Sequence, residues 1–263
     1  MSLDQPQPGE KFGMAVGACM APITAALSRA RRARMFHPDG LVFQANVEPC
    51  TLNPQLLPIA RRLSGIALVR FSSALWRGGR AWPDVLGAAI RFGWVGLTPE
   101  QPQQDLLLAT IRYPWTMPFA PLATNFLSFL WNHYHAVSPF EVAEVGRIKL
   151  RLRSPRLWNR GAKSRDAHLR DVTAEGRGRF ELQLRRLDVT PLARHWQPLA
   201  RVTLIRESDI DQAALRFSPF RAGAGIKPVG FVHALRLAAY AASQDARPDH
   251  DARALVAVSG DAR

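Results

Sequence analysis

Only two cysteines occur in the 263 residues, Cys19 and Cys50. A pair so placed matches no metal-ligand spacing and supplies no disulfide framework, so both are expected as small buried apolar side chains. Lysine is scarce as well: four of the 35 basic residues, the rest being arginine. The formal net charge is nonetheless +14, a balance that suits nucleic acid, an anionic membrane or an anionic ligand. The arginines are scattered, with no long basic run and no nucleic-acid motif, so nucleic acid is disfavoured. A planar guanidinium fork meets both oxygens of a carboxylate, which an ammonium does not. Long apolar runs are missing too. None reaches the roughly 18 to 20 residues of a membrane helix, and the nearest, Phe12 to Leu27, contains Pro22 and leads into Arg29, Arg31, Arg32 and Arg34. Asp4 and Glu10 precede that stretch, where a secretory signal would place positive charge. The expectation is a cytoplasmic protein without a transmembrane segment. Internal repeats, low-complexity tracts and Gly-x-Ser-x-Gly, P-loop and Rossmann patterns are also absent.

What is present is mostly strand. After a polar arm over residues 1–10, Met14, Ala18, Ala21, Ala25 and Ser28 recur at helical steps within Gly13 to Ala33. Strand-like segments follow at Leu41 to Val47, Ile66 to Ser72, Ala88 to Phe92 and Asp105 to Ile111. Helical spacing returns between Leu122 and Tyr134. Further strands are predicted at Ile148 to Leu152, Phe180 to Leu184 and Arg201 to Ile205. Between them Pro155 to Gly178, rich in charge and glycine, reads as a long exposed connection. Strands without βα alternation argue against a parallel sheet. They predict an α+β protein built on a closed or nearly closed antiparallel barrel with flanking helices. The corresponding division is an arm and helix over 1–33, a barrel domain over 34–247 and a polar tail over 248–263.

Near the C-terminus, Val229 to Arg247 lies between Pro228 and Pro248, reasonable helix punctuation. On a helix Arg236, Tyr240, Ser243 and Arg247 share one face. An arginine one turn from a tyrosine favours the phenolate by charge and hydrogen bonding, against an unperturbed pKa of about 10. The same stripe is also what a plain amphipathic helix with solvated arginines would show. His133 and His135, two apart in this helical reading, would point away from each other and form no metal pair. Trp76, Trp82, Trp115, Trp131 and Tyr134 read as core or interface aromatics.

Five segments, taken in order, resemble the haem-binding core of the catalase superfamily. They are Arg34-Met-Phe-His37-Pro-Asp-Gly40, Val69-Arg70-Phe71-Ser72, Pro83-Asp84-Val-Leu-Gly87-Ala-Ala-Ile-Arg-Phe92, Asp105-Leu-Leu-Leu, and Arg236-Leu-Ala-Ala-Tyr240 with Arg247 beyond it. Phe217-Ser-Pro219 and Gly225-Ile-Lys-Pro228 resemble the segment preceding the family's tyrosine helix. The resemblance spans Arg34 to Arg247 and points to the small catalase-like haem proteins, related in fold to allene oxide synthase and catalase-related peroxidases. It implies haem b as cofactor. Tyr240 would then be the iron ligand, kept ionised by Arg236, while Arg34, Arg70 and Arg247 would clamp the haem propionates. It implies His37 as the distal acid-base group, with Ser72 holding its ring. Where the family carries a pair of asparagines, one of them over the haem, this chain has Ala109 and Thr110.

The implied activity is a haem peroxidase acting on organic or hydrogen peroxides through a ferryl intermediate. Weak catalase activity is expected because the amide is missing, and Thr110 offers a shorter hydroxyl in its place. A non-catalytic haem- or lipid-binding protein on the same scaffold is the alternative. The implied partners are the peroxide, an unidentified electron donor and a further copy of the chain in a homo-oligomer.

Overall fold

Alternation in the sequence becomes the wall of a barrel. The computed structural model describes residues 40–75, 82–93, 103–159, 164–210, 215 and 217–230. Along β1 (Gly40–Pro49) Leu41, Phe43, Ala45 and Val47 face the core, as do Ala67, Val69 and Phe71 of β2 (Gly65–Ser73). Strands β3 (Leu86–Phe92) and β4 (Gln104–Ala109) continue the pattern with Leu86, Ala88, Ile90 and Phe92, then Leu106 and Leu108. They are followed by β5 (His133–Ala136), β6 (Phe140–Val142), β7 (Gly146–Arg153), β8 (Arg179–Arg186), β9 (Gln197–Glu207) and the short β10 (Lys227–Pro228).

Each of these strands pairs antiparallel with its neighbours, in the order β10-β6-β7-β5-β4-β3-β2-β1-β9-β8, and β7 pairs again with β8. That last pairing closes eight strands into a barrel, with β6 and β10 continuing from the edge of β7. An eight-stranded barrel has an interior just wide enough for side chains to fill. Here Phe71 stands at its centre, its ring 5.6 Å from Phe129, 5.7 Å from Tyr134 and 5.0 Å from Phe180. The lumen is therefore a packed core. Tyr134 is wholly enclosed and its Oη donates to the Phe129 carbonyl at 2.8 Å. Burial drives its phenol well above its ordinary pKa, so this tyrosine stays neutral.

Three expectations need correction. Leu122 to Tyr134 is not a helix. A single turn, α2 (Ala120–Ala123), ends at Thr124, and Tyr134 lies on β5. Asn132 explains the break: its Oδ1 accepts from Asn125 N at 3.0 Å, and its Nδ2 donates to the carbonyls of Asn125 and Ser128 at 2.9 and 2.7 Å. A side-chain amide that satisfies the backbone in this way competes with helix hydrogen bonding. Pro155 to Gly178, in turn, is not all connection. It holds α3 (Arg165–Ala174), capped by Ser164 Oγ accepting from Ala167 N, with Leu169 and Val172 packed in the core. Cys50 is only partly buried, its thiol pKa raised by burial and by Glu181. A short helix that sequence patterning did not reveal, α1 (Leu57–Arg62), packs Ile59 and Ala60 into the core between β1 and β2.

The chain divides into two compact units, one of 36–208 with 217–230, the other of 1–35, 209–216 and 231–263. The barrel is the first. The helix expected over Gly13 to Ala33, that expected over Val229 to Arg247 beyond Gly230, the tail from Asp249, Cys19 and Trp76 lie outside the described residues. Among the described residues no helix is long and apolar enough to cross a membrane.

Candidate functional site

Residues of β1 to β4 that do not enter the lumen line the outer side of the wall, because successive side chains on a strand alternate in direction. Register sets them in rows. One row crosses the strands as Gly40, Ser72, Gly87 and Ala109, the next as Val42, Arg70, Ala89 and Leu107. Apart from Val42, Arg70 and Leu107 these are small residues, and glycine or alanine on a strand lets another group approach the backbone closely. The result is a low shelf with one large cation on it. Arg70 and Ser72 share a face of β2, their Cα atoms roughly 7 Å apart at the rise of an extended strand. Both are buried, at 5% and 4% exposure.

Gly40 belongs to this arrangement. A Cβ built there would lie 2.5 Å from the Phe71 carbonyl oxygen and 2.9 Å from both Cζ and Nη2 of Arg70. The guanidinium thus lies across the start of β1, over a position that only glycine can occupy without displacement. The register beside it is fixed by Asp84, fully enclosed, whose Oδ1 accepts from the backbone N–H of Leu75 and Val85 at 2.9 and 2.7 Å. These bonds shape the connection between β2 and β3, and with it the pairing of Ser72 with Gly87.

Ala109 closes the first row, and Thr110 follows it off the end of β4. The Thr110 hydroxyl accepts from Leu86 N at 3.1 Å and lies 2.7 Å from Thr124 Oγ1, which also donates to the Ala120 carbonyl. A hydroxyl has one proton, so Thr110 Oγ1 and the Ala120 carbonyl are alternative acceptors for that of Thr124. The Thr110 oxygen is thus engaged within the fold as an acceptor.

A second buried arginine lies one row below. Arg91 grips Asp105 with Nε at 2.9 Å and Nη2 at 3.0 Å from the two carboxylate oxygens. Asp105 accepts further bonds from Ser218 N at 2.8 Å and Arg221 Nη1 at 3.3 Å, and Arg91 stands 5.0 Å from the Phe217 ring centre. Gln104 Nε2 donates to the carbonyls of Arg221 and Ile226. Phe217-Ser-Pro219 and Gly225-Ile-Lys-Pro228 are therefore held against β4, and β10 pairs with β6. Asp105 and Arg91 both fall within the motif segments, but nothing in the sequence pairs them; the two meet through the β3–β4 register.

Of the eight expected site residues, Arg70, Ser72 and Thr110 are described, and the first two stand together on the shelf. Arg34, His37, Arg236, Tyr240 and Arg247 lie outside the described residues. His133 and His135 also need correction. On β5 they point to the same side, ring centres 6.4 Å apart. Burial first, then Arg151 and further cations, lowers them to about 4 and about 3 respectively. Both are neutral near pH 7. Among the described residues no three metal-ligating side chains gather.

Comparison with solved structures assigns the fold. A fungal catalase superposes with a TM-score of 0.59 over 84% of this chain and 61% of its own, at 14% identity. Catalase A from Saccharomyces cerevisiae does so with a TM-score of 0.57 over 84% of this chain and 63% of its own, at 12% identity. The chain spans about three-fifths of the length of these catalases. No protein-family model and no curated protein sequence matches it. The barrel is catalase-like.

Proposed function

We propose that this protein is a haem-dependent peroxidase that uses organic hydroperoxides in preference to hydrogen peroxide. The observation that carries the reading is the buried pair Arg70 and Ser72 on a shelf of Gly40, Gly87, Ala89 and Ala109. A flat ring bearing carboxylates fits such a surface: small residues admit its plane, and a fixed guanidinium meets an acid group by a charge-assisted hydrogen bond. Haem b, when bound, would supply the redox-active iron at which the peroxide bond is broken.

The chain's own residues have distinct parts in this reading. Arg70, with Arg34 and Arg247, holds the propionates. Tyr240 offers a phenolate to the iron and Arg236 keeps that oxygen ionised. His37 takes the proton from the inner peroxide oxygen and returns it to the outer one, work suited to an imidazole near neutral pH. Ser72 holds the His37 ring by a hydrogen bond. Thr110, engaged with Leu86 and Thr124, acts by fixing the end of β4 beside the peroxide rather than by touching it. Ala109 presents no amide, so dismutation of hydrogen peroxide is slow. The domain extends over 34–247, a homo-oligomer in the cytoplasm, and a reductant from outside the chain completes each turnover.

Protein produced with ample haem is expected to show the Soret band of a ferric tyrosinate haem, weakened in Tyr240→Phe. Its absence would sink the reading. The engaged hydroxyl of Thr110 and the bare Ala109 favour a second one, a haem or lipid carrier without turnover. Stopped-flow mixing with an alkyl hydroperoxide separates the two: rapid spectral conversion of the haem excludes the carrier.

A further inference from the structure

Beyond Thr110, in the connection from β4 to β5, exposure of large apolar side chains concentrates in one short stretch. Trp115, Met117, Phe119 and Leu122, on the 3-10 turn Pro114–Phe119 and α2, are 73%, 51%, 69% and 80% exposed. Isolated exposed apolar residues are ordinary, whereas a contiguous group marks an interaction surface. Trp115 stacks on Tyr113 at 4.8 Å, and Tyr113 in turn carries Arg112 and Lys149, 5.3 and 5.2 Å from its ring centre.

Lys149 begins a ladder of positive charge. Alternation on β7 places Lys149, Arg151 and Arg153 outward, with Arg185 opposite Lys149 on β8. Arg151 and Arg185 both lie over Trp196, at 4.3 and 4.9 Å, and Arg156 reaches Nε2 of His133 at 3.3 Å. Glu181, 3.9 Å from Arg153, is the carboxylate facing this group on β8. Burial first, then repulsion by neighbouring arginines, lowers Lys149 and brings Arg151 to about 10. Among the described residues, Nε of Arg185 and Nδ1 of His133 meet no hydrogen-bond partner. A surface with this excess of cations is complete only against an anion.

We propose that this face docks on an anionic lipid surface. Trp115, Met117, Phe119 and Leu122 would enter the headgroup–acyl boundary, while Lys149, Arg151, Arg185 and Arg156 meet lipid phosphates. Tryptophan and phenylalanine favour that boundary, and basic side chains beside it add attraction to anionic headgroups. Single-stranded nucleic acid would use the rings and the cations, but aliphatic Met117 and Leu122 offer no stacking plane. A second copy across a two-fold axis would set the cation ladder against itself. The proposal is independent of the peroxide chemistry above.

The test is co-sedimentation of the full chain with phosphatidylcholine vesicles, with and without phosphatidylglycerol. Binding is expected with phosphatidylglycerol, reduced by salt, and absent from phosphatidylcholine alone. A triple variant Trp115→Ser, Phe119→Ser, Leu122→Ser should bind at least about tenfold more weakly, given the apolar surface withdrawn. Because the three side chains are exposed, its circular dichroism and melting should match the parent. A second variant, Lys149→Gln with Arg156→Gln, should lose the preference for phosphatidylglycerol. Failure of the parent to bind the anionic vesicles overturns the proposal, as does a triple variant that binds equally well. Self-association of the parent without lipid, abolished in the triple variant, would assign the face to a second copy and overturn it too. So would salt-dependent binding of oligothymidylate by both proteins with no vesicle binding by either.

Discussion

The guanidinium of Arg70 lies over Gly40 so closely that a Cβ on that glycine would approach Cζ to 2.9 Å. One residue is small because the other is large, and both sit at the edge of the shelf formed by β1 to β4. Gly40→Ala is therefore expected to destabilise the barrel by about 1–3 kcal/mol, the usual range for overpacking. In the proposed function it also weakens haem retention, by moving Arg70. Urea denaturation and the Soret-to-protein absorbance ratio measure the two effects separately.

Thr110 should behave as a structural hydroxyl. Thr110→Val leaves the Leu86 N–H without its acceptor at 3.1 Å, a loss of about 1–3 kcal/mol for a buried donor. Thr110→Ser should restore most of it. If Thr110 were a reacting group, the valine variant would instead lose peroxide turnover while keeping its melting temperature.

Asp105 is the joint between the barrel and Phe217–Gly230, taking bonds from Arg91, Ser218 and Arg221. Asp105→Ala removes the buried carboxylate that Arg91 grips with two nitrogens, and a loss of about 3–5 kcal/mol is expected. Proteolysis at the segment around Phe220 should accelerate with it. The double variant Arg91→Met, Asp105→Leu should recover much of the stability, since neither charge then remains. It should not recover the protease resistance, because the bonds to Ser218 and Arg221 stay broken.

His133 and His135 make the fold acid-sensitive. Their folded values, about 4 and about 3, lie below the ordinary 6.5, so below that value the unfolded chain binds more protons. Stability should be full above about pH 6.5 and fall as pH drops towards 4 and then 3. Melting temperature measured from pH 7 to pH 4 should decline less steeply in His133→Asn, His135→Asn than in the parent. Equal slopes in the two proteins would show that these rings are not the titrating groups.

Local pattern carried much of the fold. Gly-Arg-Ile-Lys-Leu-Arg-Leu-Arg of β7 alternates so regularly that strand and facing follow from it directly, and the seven predicted strands all recur. The short helix α3 was hidden because charge and glycine around it outweigh the apolar spacing of Leu169 and Val172. In His-Tyr-His of β5, four residues carry too little pattern to distinguish a strand from the end of a helix. The strand sets both histidines on one side, where a helix would turn them apart.

For the site, the sequence determined which residue types were available and in what order: Arg70 and Ser72 two apart on a strand, Asp84 before Gly87, Ala109 and Thr110 where an amide pair stands in the resemblance. The tertiary structure decided what they touch. Closure of β7 onto β8, the meeting of Arg91 with Asp105, the anchoring of Asp105 to Ser218 and the engagement of Thr110 by Leu86 and Thr124 each join residues that no short window contains. Periodicity is a property of neighbouring residues and survives in the sequence. Strand register and hydrogen-bond partners are fixed only when remote segments pack, because a buried polar group must find its partner wherever the fold brings one within reach.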